Sequence, residues 1–203
     1  AQEPRYNIDT LNVIPTGDEF SDQEFINNSQ IFSQNVDERS FLNFEVRLPN
    51  MWSESFLNSQ KINPLNTNFL TDIGRYVSPP YGDKRAFFGV QAIIIKKEIF
   101  AEDWFRNQVL TNSYNIKAIN IKSSKEIEAI YTALEGDIAF AVRAKVFIAG
   151  DVLYFIRHAL PVSVFSKFAV SQAKVMNSFK LLSPKRGAIE KERRFAVLGA
   201  LSF

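Results

Sequence analysis

The sequence predicts an α+β domain, an antiparallel sheet packed with amphipathic helices, and three segments predict it. Ile138 to Ala149, then Gly150-Asp151, then Val152 to Leu160 gives two apolar-rich runs around a two-residue loop, which reads as a long β-hairpin. Arg85 to Lys96 is dense in Phe, Val and Ile and reads as a long central strand. Ser163 to Lys180 carries Phe165, Phe168, Ala169, Gln172, Ala173, Met176 and Phe179 at three- and four-residue spacing, the stripe of a buried helix face.

The chain divides into three parts: an acidic N-terminal arm (1–40), a body (41–182) and a C-terminal tail that is basic and then apolar (183–203). In the arm, Thr16-Gly17-Asp18 after Pro15 is a turn, and Ser21 caps a short helix opened by Asp22-Gln23-Glu24. Leu11, Val13, Phe20, Phe25 and Ile31 are expected to pack it on the body. Phe41 to Leu48, alternating from Asn43 onward, reads as a strand that stops at Pro49; residues 53–68 are polar and loop-like; Asp72 to Val77 is a short strand. Ala101 to Leu110 suits a helix with apolar positions 101, 104, 105, 109 and 110. Tyr114 to Ile121 alternates with a slip. Lys125 to Leu134 fits helix or strand, with strand favoured in its second half. In the hairpin, a two-residue loop of type II′ pairs Ile148 with Leu153, Val146 with Phe155 and Ala144 with Arg157 on a mostly apolar face. The other face pairs Phe147 with Tyr154, Lys145 with Ile156 and Arg143 with His158. That mixed composition predicts a face only partly covered.

Nineteen Phe among 203 residues imply a wide, filled interior. The net charge of +2 is too small to argue for nucleic acid. Charge is nevertheless unevenly placed. Residues 1–40 hold eight acidic residues against Arg5 and Arg39, a balance of −6, while residues 167–194 hold eight Lys or Arg against two Glu, a balance of +6. Either the two ends meet within the molecule, or each docks a partner or a second copy. With no Cys, disulfides, thiolate metal sites and thiol nucleophiles are excluded. Ala1-Gln2-Glu3-Pro4 resembles the start left by signal-peptide removal, so export is expected. No apolar run has the length of a membrane-spanning helix.

Chemistry is sparse. His158 is the single histidine, so triads and most acid–base pairs must use it or carboxylates alone. Its neighbours Arg143 and Arg157 oppose an imidazolium and a divalent metal, and a structural role is expected. Glu102 and Asp103 suit the first turn of a helix; Asp37 and Glu38 are adjacent; Glu126 and Glu128 read as a solvated face. Gly82 and Gly89 do not make a phosphate loop, and Ser163 and Ser166 lie in no nucleophile elbow. No catalytic, cofactor or metal residues are assigned. The partner-binding candidates are Lys185, Arg186, Arg193, Arg194 and Phe195.

Three stretches carry a resemblance: Phe44-Glu45-Val46-Arg47-Leu48-Pro49-Asn50-Met51-Trp52 at the start of the body, the hairpin core Val146 to Phe155 with Leu160-Pro161 after it, and Met176-Asn177-Ser178-Phe179-Lys180-Leu181 at its close. With a helix near Ala101, this order resembles the PsbP/Mog1-like superfamily over about residues 41–182. The resemblance implies an α/β/α sandwich around a central antiparallel sheet. It also implies company that is mostly non-enzymatic: extrinsic photosystem subunits, a Ran-binding factor and bacterial envelope proteins. The expected function is therefore a non-catalytic, exported bacterial envelope protein, periplasmic or secreted, that works through protein–protein contacts, for example in a secretion or transfer apparatus. Homo-oligomerisation through the arms is one form of this. The alternative is a small-ligand or lipid-binding module with a Phe-lined cavity between sheet and helices. An enzyme ranks third; it requires His158, Arg143 and a carboxylate to meet in a cleft.

Overall fold

A computed structural model describes residues 6–19, 21–35, 40–55 and 65–182. In chain order the arm gives α1 (Asp22–Asn27) and β1 (Ser29–Gln34), and the body opens with β2 (Phe44–Pro49), β3 (Ser53–Glu54) and β4 (Thr71–Val77). Then come β5 (Phe87–Ile94), α2 (Ala101–Asn112), β6 (Asn115–Ser123), β7 (Glu126–Glu135), β8 (Ile138–Ala149), β9 (Val152–Pro161), α3 (Phe165–Ser178) and β10 (Lys180–Leu181). Seven strands form one antiparallel sheet in the order β3-β4-β5-β9-β8-β7-β6, and β1-β2-β10 form a second, smaller sheet. The fold is α+β with a central antiparallel sheet, as the sequence predicts.

The hairpin has the predicted register. Ala149 pairs with Val152, Ile148 with Leu153, and Arg143 with His158. Gly150 has φ +66°, and Asp151 does not share that sign, as a type II′ turn demands. The segment that reads as helix or strand, with strand favoured only in its second half, is strand along its whole length, Glu126–Glu135. The slip after Tyr114 is a register shift between Ile116 and Ala118 against β7.

One expectation about the faces is overturned. The mixed face of the hairpin is the better covered one: Arg143 and His158 are each 2% exposed. Helix α3, the small sheet and the arm all pack there, so polar side chains are sealed in with Phe44, Phe88 and Phe165. Each of those rings contributes roughly 1.5–3 kcal/mol by leaving water. The opposite face is covered mainly by α2 through Ala101, Trp104 and Phe105. Leu110 does not join that stripe and is exposed; nine residues after Ala101, it sits half a turn out of phase.

The small sheet ties the two ends of the body together. Lys180 pairs with Glu45 and Leu181 with Phe44, and the Ser178 hydroxyl accepts from the Arg47 amide at 2.9 Å. The Phe44-to-Trp52 and Met176-to-Leu181 stretches are thus neighbours in space. In the arm, the Ser21 hydroxyl caps α1 by accepting from the Glu24 amide at 3.1 Å. Gly17, at φ +86°, presses against α3, where a Cβ would come within 3.1 Å of the Ala173 Cβ. Phe25 and Ile8 are buried and Leu11 is partly so. Val13 and Ile31, expected to pack, are exposed instead. For Ile31 the reason is the two-residue period: Phe32 takes the inward face against Tyr76, at 5.0 Å between rings, which turns Ile31 outward. Phe20 lies outside the described residues.

Candidate functional site

Strand pairing sets the lone imidazole opposite Arg143, and the arm and α3 close over both. The His158 ring stacks on Trp52 at 5.4 Å and lies 6.4 Å from Phe88. Its Nδ1 is buried without a hydrogen-bond partner. Burial, and then the Arg143 charge, pull its pKa down to about 3, so the ring is neutral at physiological pH. Gln172 of α3 donates its amide to the His158 and Ala141 carbonyls at 2.9 and 3.4 Å, which fixes the helix to the strands beneath.

Arg143 is the pivot of this cluster. Its guanidinium donates to the Pro15 carbonyl of the arm and to Glu128 Oε2, the latter at 3.4 Å. Burial lowers its pKa, with Glu128 opposing. Glu128 is 5% exposed and also takes Lys122 Nζ at 3.3 Å. Here the expectation of a solvated Glu126–Glu128 face fails. Glu128 on β7 is buried against Arg143, and Glu126, paired with Lys145 at 3.0 Å, stays partly exposed. His158, Arg143 and a carboxylate do gather, but inside the core and not in a cleft.

The other face holds a different grouping. A cavity of about 220 Å³ is lined by Phe87, Tyr114, Tyr131 and Phe140, by Arg75 and Arg157, and by Glu135 at its exposed rim. It opens where α2 ends. Ser113 terminates that helix in the left-handed region, at φ 55°, and sets Tyr114 flat on Tyr131 at 4.4 Å. Phe87 meets Phe140 edge-on at 5.6 Å. Arg75 and Arg157 stand over the Phe87 ring at 4.8 and 5.8 Å, and Arg157 also faces Phe155 at 5.2 Å. The register places Arg75, Gly89 and Arg157 on one row across β4, β5 and β9. A Cβ added at Gly89 meets nothing within 4 Å.

Sequence reasoning missed this cavity, because its walls come from five strands and a helix end. A lone glycine inside the Phe-Val-Ile run of β5 is the signal that could have found it, since such a glycine marks a gap or a close approach. The partner-binding candidates Lys185, Arg186, Arg193, Arg194 and Phe195 lie outside the described residues. Within the described residues the acidic arm does meet basic groups of the body: Asp22 pairs with Lys174 of α3 at 2.5 Å. Asp22 is 85% exposed, so that pair adds little stability. No three His, Asp or Glu among the described residues gather as a metal ion requires, and no helix among them is long and apolar enough to cross a membrane.

No protein-family model and no curated protein sequence matches this chain. Among solved structures, it is similar to cyanobacterial PsbP (CyanoP) from Synechocystis sp. PCC 6803, with a TM-score of 0.52 and 14% identity, covering 76% of this chain and 92% of that one. It also aligns with PA94, a protein of unknown function from Pseudomonas aeruginosa, at a TM-score of 0.46 and 10% identity over 77% and 98% of the two chains. At such identities the likeness concerns the fold and not the function. The chain has a PsbP/Mog1-like fold.

Proposed function

We propose that this chain is a non-catalytic, exported component of a bacterial envelope, periplasmic or secreted, that works through protein–protein contacts, as in a secretion or transfer apparatus. The observation that carries the reading is the state of the single imidazole. The residue on which most acid–base chemistry depends is neutral, stacked under Trp52 and closed off from solvent. Support comes from the rim of the small sheet, where β1, among the described residues, pairs on one side only and turns Ile31 outward, with Ile26 and Met51 also exposed. An edge strand with outward apolar side chains suits strand addition by a partner. The basic tail with Lys185, Arg186, Arg193, Arg194 and Phe195 belongs to the same proposal as a second contact. Photo-crosslinkers placed at Ile31 and at Phe195 in intact cells are expected to capture one envelope protein, or a second copy of the chain. A lone monomer in both crosslinking and sedimentation removes the reading.

A second reading, a small-ligand-binding module, is favoured by the aromatic cavity beside Arg157. That cavity lies past the end of α2 and mixes Phe, Tyr and Arg, instead of being the Phe-lined space between sheet and helices that the sequence led us to expect.

A further inference from the structure

We propose that the cavity beside Arg157 binds a small aromatic carboxylate, a proposal that rests on the ligand-binding reading and not on the protein-contact one. Two buried atoms on its wall, Arg157 Nε and the Tyr131 hydroxyl, have no hydrogen-bond partner. The hydroxyl's polar neighbours are Arg157 and Tyr114, which line the same cavity. Buried donors left unmade cost stability, and native proteins carry few of them. Both atoms are donors on the same wall, so one carboxylate oxygen pair satisfies them together. No carboxylate among the described residues lies within ion-pair distance of Arg157. Its guanidinium lies instead over the faces of Phe87 and Phe155, which carry no countercharge.

The remaining walls select the body of the ligand. Tyr131 carries Tyr114 stacked on it, and Phe87 and Phe140 meet edge to face, so the lining is flat and aromatic. A cavity of about 150 Å³ holds benzene; one of about 220 Å³ takes a single ring with a carboxylate and is too short for a fatty-acyl chain. The bare Gly89, paired with Arg157 across the strands, leaves open space on that row. Glu135 stands at the solvated rim, where its repulsion is screened.

Calorimetric titration of the purified chain with benzoate, benzyl alcohol and inorganic phosphate at matched ionic strength tests this. Benzoate is expected to bind with a Kd of about 1 mM or tighter, and the other two at least about tenfold more weakly. Arg157→Gln should weaken benzoate by about tenfold or more while the melting temperature stays close to the parent's. Gly89→Leu, which fills the gap, should also abolish binding. Transferred nuclear Overhauser effects from the benzoate ring to Phe87 and Tyr131 locate the site. Equal binding of benzyl alcohol at these rings overturns the carboxylate and keeps the ligand-binding reading. Equal binding of phosphate overturns the aromatic part. Silence of all three probes removes both the proposal and the reading beneath it.

Discussion

Gly74 and Gly89 sit on neighbouring strands and look toward opposite faces of the main sheet, and they are small for opposite reasons. A Cβ at Gly74 would come within 2.6 Å of the Phe44 ring, so its place is already taken. A Cβ at Gly89 would meet nothing within 4 Å. The first face is filled by the small sheet, α3 and the arm, and even Arg143, Glu128 and His158 are sealed into it. Among the described residues the second has one helix of twelve residues to cover it, and past that helix lies a cavity. One face therefore holds the molecule together, while the other keeps room.

The sharpest way to break this contrast is Arg143→Met. It strands Glu128 without its guanidinium and releases the Pro15 carbonyl, and should cost about 3–5 kcal/mol in urea denaturation. Proton linkage at His158 comes next. Its folded pKa, about 3, lies below the unfolded value near 6.5. Between those values the unfolded chain binds the extra proton, so stability falls as pH drops through this window, by roughly 1 kcal/mol per pH unit. Urea midpoints at several pH values should show that slope reduced in His158→Leu. Gly74→Ala forces the Phe44 ring to move and should destabilise by about 1–3 kcal/mol. Gly89→Ala should instead stabilise by about 0.5–1 kcal/mol, read as a higher melting temperature, because the strand gains a side chain and loses unfolded-state freedom without a clash. If both glycine variants behave alike, the two faces do not differ as described.

The local parts of this fold were readable in the sequence. Gly150-Asp151 and the alternation around it settle the register of ten residue pairs between β8 and β9, since a two-residue loop leaves no slack. The stripe from Phe165 to Met176 gives α3 for a similar reason. Lys125 to Leu134 was ambiguous because Ile127, Ile130, Tyr131 and Leu134 fit a helix while the β-branched content fits a strand, and only pairing with its neighbours decides. What no window could show is which face of the sheet becomes buried. Arg143 and His158 make one hairpin face look solvated, yet the groups that cover them, Pro15 and Trp52, are far away in the chain. The cavity is hidden by the same distance effect, since Arg75, Gly89, Tyr131 and Arg157 meet only once five strands are in register. The resemblance read from three separated stretches reached the fold, because those stretches adjoin in the small sheet and its surroundings.

Leu181 pairs with Phe44, and the Pro15 carbonyl meets a guanidinium 128 residues later. A growing polypeptide emerges from the ribosome N-terminus first. Its early segments therefore wait for partners that are synthesised much later, and closing such long loops slows folding. Until residue 181 has emerged β2 lacks β10 on its second flank, and until Arg143 and α3 have emerged the arm lacks those anchors. The seven-stranded sheet, whose last strand ends at Pro161, can therefore close before β2 gains its second neighbour.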